Sequence, residues 1–535
     1  MVLEQVHFAR HPGVSWKQQP PSGAFDAIVI GSGVGGLSCA SALARYADRR
    51  VLVLERHYRI GGYTQTFTRP GYEWDIGVHY IGQMAAGGDV RRLFERLTDG
   101  SVLWSALPKV YDRVVLGDLH YDFVAGQECF INRLTHYFPG EGQTLRRYFA
   151  LIAEANEGAR NYYVERMLPK WLAGITGPLL RRQYLRWARR TTGQVLSGLT
   201  RNEELAAVLC GQLGDYGLPP SRSSFAAHAG VVNHYIQGAW YPAGGSAAIA
   251  RAFAPVIEEA GGVLCHSAEV ETILIEKGRA VGVRLTDGAE LRAPIVVSDA
   301  GVANTYGTLL PQAAIPAGFR KELRLVAPSV GYLSLFVGLK HTDAELGTTG
   351  TNLWIHPDRN HDRNSETFLR DPARPFPVVY VGFPSAKDPS WSKRFPGRAT
   401  IEVIAPYPYA GFRQWRDTSW QHRGDGYAEV KEALSQKLLE VLFKQLPQLR
   451  GKIDVTELST PISTGHFVGH PRGELYGLDH TPARFEARLR AQSPVPGLYL
   501  TGADLASAGV GGAMAGGALT ASAIEGFRLL WKVMA

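Results

Sequence analysis

Apolar residues along this chain gather in short solid runs, and these runs alternate with stretches of helical period. Phe25-Asp26-Ala27-Ile28-Val29-Ile30 and Val51-Leu52-Val53-Leu54 carry almost no polar alternation, as strands covered on both faces must, and Leu37 to Ala47 between them reads as a helix. A second block repeats the theme. Tyr241 to Ser246 leads into a helix over 247–260, followed by strands at Ala268–Ile273, Ala280–Leu285 and Ile295–Ala300, with turns at Gly278 and Asp287-Gly288. A third run, Gly497 to Leu500, precedes a glycine-rich segment over 509–517 and a helix over 518–531. Strand and helix in alternation predict an α/β fold with a parallel sheet, assembled from residues 25–85, 237–311 and 461–535. Residues 86–236 and 312–460 then form an inserted α+β domain. Strands are predicted there over 330–339, 377–383 and 399–404, with a helix over 426–445; residues 1–24 are left as an N-terminal extension.

The first strand runs straight into Gly31-Ser32-Gly33-Val34-Gly35-Gly36, and the second ends at Glu55. Each glycine has a mechanical reason in a Rossmann-like dinucleotide cradle. Gly31 permits the tight turn, Gly33 lets a pyrophosphate approach backbone, and Gly36 lets helix and strand pack closely. The helix N-terminus offers free N–H groups to the phosphates. Glu55 is placed to accept from ribose hydroxyls, and its charge disfavours a 2′-phosphate.

Composition changes the picture in three places. The four cysteines, Cys39, Cys129, Cys210 and Cys265, form no CxxC pair, so neither a zinc site nor a disulfide framework is expected. His466, His470, Asp479 and His480 match no ligand spacing, so no metal is expected either. The formal charge is +8, and residues 159–190 hold eight Lys or Arg against Glu165 alone. So local an excess argues against nucleic acid. Mixed with Trp171, Leu172, Leu179, Leu180, Tyr184 and Trp187, it predicts a helical element that touches a membrane surface. Leu505 to Ile524 lacks charge, but five glycines leave too little apolar area for a membrane span.

Arg59-Ile60-Gly61-Gly62, just past the acid and Arg56, resembles the Arg-x-Gly-Gly element of FAD flavoproteins of the amine oxidase and phytoene desaturase superfamily. Thr501-Gly502-Ala503-Asp504 with the segment through Gly511, Gly512, Ala513 and Met514 resembles the C-terminal half of the same site. Within that superfamily, Trp74 to Gly82, Ile295 to Gly301, Pro471 to His480 and Arg490 to Gly502 are most similar to the retinol saturase and carotenoid cis–trans isomerase group. The resemblance implies an FAD-binding domain of that type. Asp504 would meet the ribityl or pyrophosphate region, Val270 the adenine end, and the segment after Asp504 the isoalloxazine ring. It implies an FAD-dependent oxidoreductase acting on a C=C bond of a polyene lipid, retinoid or carotenoid, with saturation favoured. Desaturation, non-redox cis–trans isomerisation, and isomerisation or hydration of an unsaturated fatty acid are the alternatives; a prenyl-lipid binding protein without flavin is the remaining one. Animal members carry a hydrophobic leader that residues 1–24 lack, so the expected location is cytoplasmic and peripherally membrane-associated. Tyr63 stands where relatives often have small residues.

No second GxGxxG unit with its acid appears, so an external electron donor or acceptor is expected. His79 is the first candidate for proton donor, with Tyr80 and Glu474 next and Tyr476 and His480 behind them.

Overall fold

In the computed structural model, which describes residues 11–534, the apolar runs from the two ends of the chain join one sheet. Ala27–Ile30 pairs in parallel with Val51–Leu54 on one side and Ile295–Ser298 on the other. Leu498–Leu500 extends the sheet beyond Ile295–Ser298, and Val263–His266 extends it beyond Val51–Leu54, both in parallel. The two N-terminal strands are buried at every position. One face lies under helices Val34–Ala47, Ala247–Glu259 and Gly509–Glu525, and the other under the antiparallel meander Val270–Glu276, Arg279–Leu285 and Glu290–Arg292. That double cover is why these runs carry no polar alternation.

Two boundaries differ from the sequence reading. Val14–Ser15 forms the outermost strand, pairing with Val263–His266, and Val14 and Trp16 pack against the core. A two-residue pairing is too short to leave a periodic signal. His7 and the rest of residues 1–10 lie outside the described residues. Helix Asp89–Thr98, assigned above to the inserted domain, buries Val90, Leu93, Phe94 and Leu97 in the dinucleotide core instead, because its apolar positions form one stripe that the neighbouring helices complete.

The inserted segments build a seven-stranded sheet in the order Ile453–Ser459, Tyr332–Leu339, Ala399–Pro406, Val379–Gly382, Asn352–His356, Val110–Leu116, Leu119–Val124. All neighbours are antiparallel except Asn352–His356 with Val110–Leu116. Helix Asp425–Gln445 covers one face through Leu434, Leu438, Leu439 and Leu442. A helical layer over 127–235 covers much of the other. The hairpin Thr66–Arg69 and Tyr72–Asp75 links the two domains, with Tyr72 and Trp74 packed on Phe336.

The C-terminal helix begins at Gly509 rather than at Ala518. Its glycines are contact points: a Cβ added to Gly517 would lie 2.5 Å from the Ser38 Cβ and 2.6 Å from the Gly35 carbonyl oxygen. Among the described residues, no helix is long and apolar enough to cross a membrane.

Candidate functional site

A cavity of about 360 Å³ follows the C-terminal edge of the parallel sheet, where α/β folds hold their ligands. Gly31 turns the chain out of its strand at φ +95°, a conformation that favours glycine. A side chain on Gly36 would collide with the Gly31 carbonyl, so Gly36 serves packing and does not border the cavity. Gly33 and Gly35 do border it, with Gly31. The Leu37 N–H donates to the Gly33 carbonyl at 2.9 Å and closes the first helical turn; of the N–H groups just before it, that of Gly36 goes to Asp299, and those of Val34 and Gly35 face the cavity edge where an anion would bind.

Glu55 is buried at the cavity's edge. Its Oε2 accepts from Ser32 N and Oγ at 3.0 and 2.5 Å, and its Oε1 from His57 N at 2.8 Å. Burial raises its pKa; those hydrogen bonds oppose the rise. Arg56 borders the cavity and pairs with Glu269 at 3.4 Å, and Val270 lies beside it. Gly62 borders the cavity too. Gly61 supplies the turn behind it at φ +130°, and Arg59 turns away, donating to the Thr66 carbonyl at 2.5 Å.

The C-terminal half closes the other wall with Asp504 and Ala513. Asp504 ties two loops: Oδ1 accepts from Leu478 N at 2.9 Å and Oδ2 from Val302 N at 2.7 Å. Gly502 lies under Gly35, Gly511 against Val90, Gly512 against Ser507, and Met514 wholly within the core; these four support the wall without bordering the cavity.

Asp299 was not among the sequence candidates. Its carboxylate sits inside the glycine loop, where Cβ atoms on Gly33 and Gly35 would each lie 2.5 Å from one of its oxygens. Burial, with Glu55 and Asp504 nearby, pushes this carboxyl up to about 7, against a hydrogen bond from the Gly36 N–H. The acid directly after the Ile295–Ser298 strand was its one signal. The residues present fit a dinucleotide: backbone donors and a helix terminus at the glycine loop, an acid at the end of the second strand, and a long cleft between the chain's two ends.

The structure brings none of His79, Tyr80 or Glu474 to that cavity. His79 Nδ1 lies 2.6 Å from Oε2 of the fully buried Glu402, whose Oε1 accepts from Asp75 N at 3.1 Å. Lys387 Nζ donates to the His79 carbonyl at 3.1 Å, and burial lowers its pKa to about 8. Tyr80 donates to Asp112 Oδ2 at 3.0 Å, and that oxygen also accepts from Gln212 and Trp354. Glu474 Oε2 accepts from Arg472 N at 2.8 Å. Glu402, Lys387 and Asp112 sit in no motif, and only the fold brings them together. Tyr63 and Tyr476 do border the cavity. Tyr63 is fixed, its hydroxyl donating to the Glu474 carbonyl at 2.9 Å. Among the described residues no group of three or more His, Cys, Asp or Glu is arranged to hold a metal ion.

A second cavity, of about 520 Å³, lies under the inserted sheet, with Leu218, Val330, Tyr332, Phe368 and Tyr407 in its walls. One layer of side chains separates the two. Gly217 borders the second cavity, and a Cβ there would lie 3.1 Å from the Tyr332 hydroxyl and 3.5 Å from the Tyr476 ring.

Comparison with known proteins now decides the family. Residues 29–97 match the NAD(P)-binding Rossmann-like domain. All-trans-retinol 13,14-reductase of Danio rerio is 38% identical over 509 residues, 91% of this chain and 84% of its own. The chain belongs to the all-trans-retinol 13,14-reductase family. Prolycopene isomerase 1 of an Oncidium hybrid is more distant from this family member, at 25% identity over 84% of this chain and 74% of its own. Cyclohexylamine oxidase of Brevibacterium oxydans shares the fold at a TM-score of 0.60 and 18% identity, covering 94% of this chain and all of that one.

The basic segment of this reductase-family chain forms helices Ala159–Glu165 and Lys170–Ala188. Some of its charge is structural: buried Arg166 donates to the Leu505 carbonyl at 2.6 Å. Trp171, Ile175 and Leu179, spaced one helical turn apart, are 69%, 73% and 74% exposed. Trp531 of the last helix is exposed as well, with Arg160 over its ring at 5.9 Å.

Proposed function

We propose that this chain binds FAD in the first cavity and saturates a C=C bond of a retinoid. The observation that carries the reading is the convergence of both glycine-rich ends on one cleft, one tyrosine layer from a second cavity whose walls mix Leu218, Val330, Phe368 and Tyr407 with Arg222, Asp362, Glu366 and Asp479. Gly33 and Gly35 with the helix terminus would hold the pyrophosphate, Glu55 and Val270 the adenosine end, Asp504 the ribityl or pyrophosphate region, and Ala513 the ring end. FAD supplies hydride chemistry when bound and reduced; the chain orients the polyene and keeps water out. Burial is worth about 0.8 kcal/mol per CH₂, so a long polyene leaves a membrane only for a dry channel. Reducing equivalents come from an external donor.

The Trp171, Ile175 and Leu179 stripe with Arg182 and Arg186 is read as the membrane contact that loads this channel. Its base reaches the Asp504–Leu505 turn through Arg166.

The test is to isolate the yellow holoprotein, reduce it anaerobically until the colour bleaches, and mix it with all-trans-retinol. Flavin reoxidation with a product two hydrogens heavier is expected. The isomerase-like relative makes isomerisation the second reading, and it predicts an unchanged product mass. A colourless protein that FAD cannot reconstitute would refute both.

A further inference from the structure

Saturation needs a proton beside the hydride, and the three leading sequence candidates, His79, Tyr80 and Glu474, lie away from the cavity, whereas one ranked behind them does not. Tyr476 stands in the wall instead. It borders the first cavity, packs edge-on against Tyr332 at 5.9 Å, and lies against Gly217, which borders the second cavity. Among the described residues its backbone N–H is bonded, to Ser329 Oγ at 3.2 Å, whereas its hydroxyl makes no hydrogen bond. Tyr63 and Tyr332, its neighbours, spend their hydroxyls on the Glu474 and Gly214 carbonyls.

On the same side sits Asp215, between Gly214 and Gly217, which both border the second cavity. Its Oδ2 is buried without a partner, which is rare enough in folded proteins to demand a reason. The groups within electrostatic reach are Asp112 on the Val110–Leu116 strand and the phenols Tyr80, Tyr111, Tyr216, Tyr235, Tyr332, Tyr380 and Tyr476. None of these is a cation. Burial and then Asp112 raise the Asp215 pKa well above the usual carboxylate range, which favours the form that carries a proton.

We infer that the Tyr476 hydroxyl protonates the lipid during saturation and that Asp215, on the loop that carries Gly217, resupplies that proton. This rests on the saturation reading above. The balance is complete: the π bond breaks and one carbon gains hydride from reduced flavin, which is oxidised as the lipid is reduced. The adjacent carbon gains the Tyr476 proton, the phenolate recovers one from Asp215, and the carboxylate recovers one from water. Asp215 is the positioning and supply residue; Tyr476 touches the substrate.

The test uses full-length holoenzyme of wild type, Tyr476→Phe, Asp215→Asn and Asp215→Glu, reduced anaerobically and mixed with all-trans-retinol. Flavin spectrum and melting temperature report structural integrity. Both Tyr476→Phe and Asp215→Asn are expected to keep their flavin and to slow reoxidation at least tenfold, with Asp215→Glu restoring part of the rate. Wild-type rates are expected to fall at alkaline pH with a solvent isotope effect, and Asp215→Asn to lose that pH dependence. As a readout free of turnover, Asp215→Asn is expected to remove a protonated-carboxyl band from the infrared spectrum and to raise the melting temperature at alkaline pH. Wild-type rates in both variants, or a carboxyl region of the infrared spectrum identical in wild type and Asp215→Asn, would overturn the proposal. No reaction of reduced wild type with the polyene would overturn the saturation reading beneath it.

Discussion

Gly35→Ala tests whether the two ends of the chain meet at the cofactor. A Cβ at residue 35 would lie 2.8 Å from the Gly502 backbone nitrogen and 2.5 Å from Asp299 Oδ1. Carbon and backbone atoms settle at ~3.5–4.0 Å, so the glycine loop and the Thr501-Gly502 turn must part. Neither partner is a flexible side-chain tip that can move cheaply: Gly502 is backbone, and Asp299 is wedged inside the loop. Forcing an extra carbon into a packed site costs roughly 1–3 kcal/mol. Charged to cofactor binding, that weakens FAD by about 5- to 150-fold, at tenfold per 1.4 kcal/mol. The assay is fluorescence titration of apoprotein with FAD, together with melting of the holoprotein. Gly426→Ala is the control, since nothing lies within 4 Å of a Cβ there and Ala favours helix Asp425–Gln445. Unchanged FAD affinity and melting temperature in Gly35→Ala would show that the C-terminal turn does not close this site.

Other expectations follow from the same geometry. Asp504→Ala removes the acceptor for Leu478 N and Val302 N, so it should cost a few kcal/mol of stability (~1–3 per orphaned buried donor) and loosen FAD, read by melting and by flavin release. Asp75 and Asp299 are each raised to about 7 by burial, so the native protein holds their protons better than the unfolded chain does. Their contribution to apoprotein stability is full below pH ~4 and is lost as pH rises through about 7; melting against pH should fall across that window, and less steeply in Asp75→Asn. An anionic pyrophosphate beside Asp299 also favours its neutral form, so FAD affinity should weaken above pH 7 and Asp299→Asn should flatten the dependence in a titration series. Replacing Trp171, Ile175 and Leu179 together by Ser should abolish sedimentation with anionic vesicles while flavin content stays intact; binding equal to wild type would refute the membrane reading.

What the sequence disclosed and what it withheld divide along one physical line. Signals that a single segment carries were legible. The Phe25 to Glu55 unit announces its own strand, loop, helix and acid because each residue type is needed for local geometry, and Asp425–Gln445 appears almost as predicted because helical periodicity is a local property. Strand Asn352–His356 was missed because it pairs with Val110–Leu116, far back along the chain, and a short apolar run has no period that distinguishes it from a buried turn of helix. The same holds at the site. The glycine loop and the Thr501 to Asp504 turn could be matched to a family, but their contact, Gly35 against Gly502, spans most of the chain. His79 was chosen for lying in a recognisable block. Its environment is set by Glu402, over three hundred residues later, which absorbs its Nδ1 in a closed pair. Tyr476 looked weaker than His79 only because nothing local shows that a phenol has no partner. An orphaned hydroxyl or carboxyl is a property of every atom around it, so candidates for proton transfer become visible only once the whole fold has allotted its hydrogen bonds.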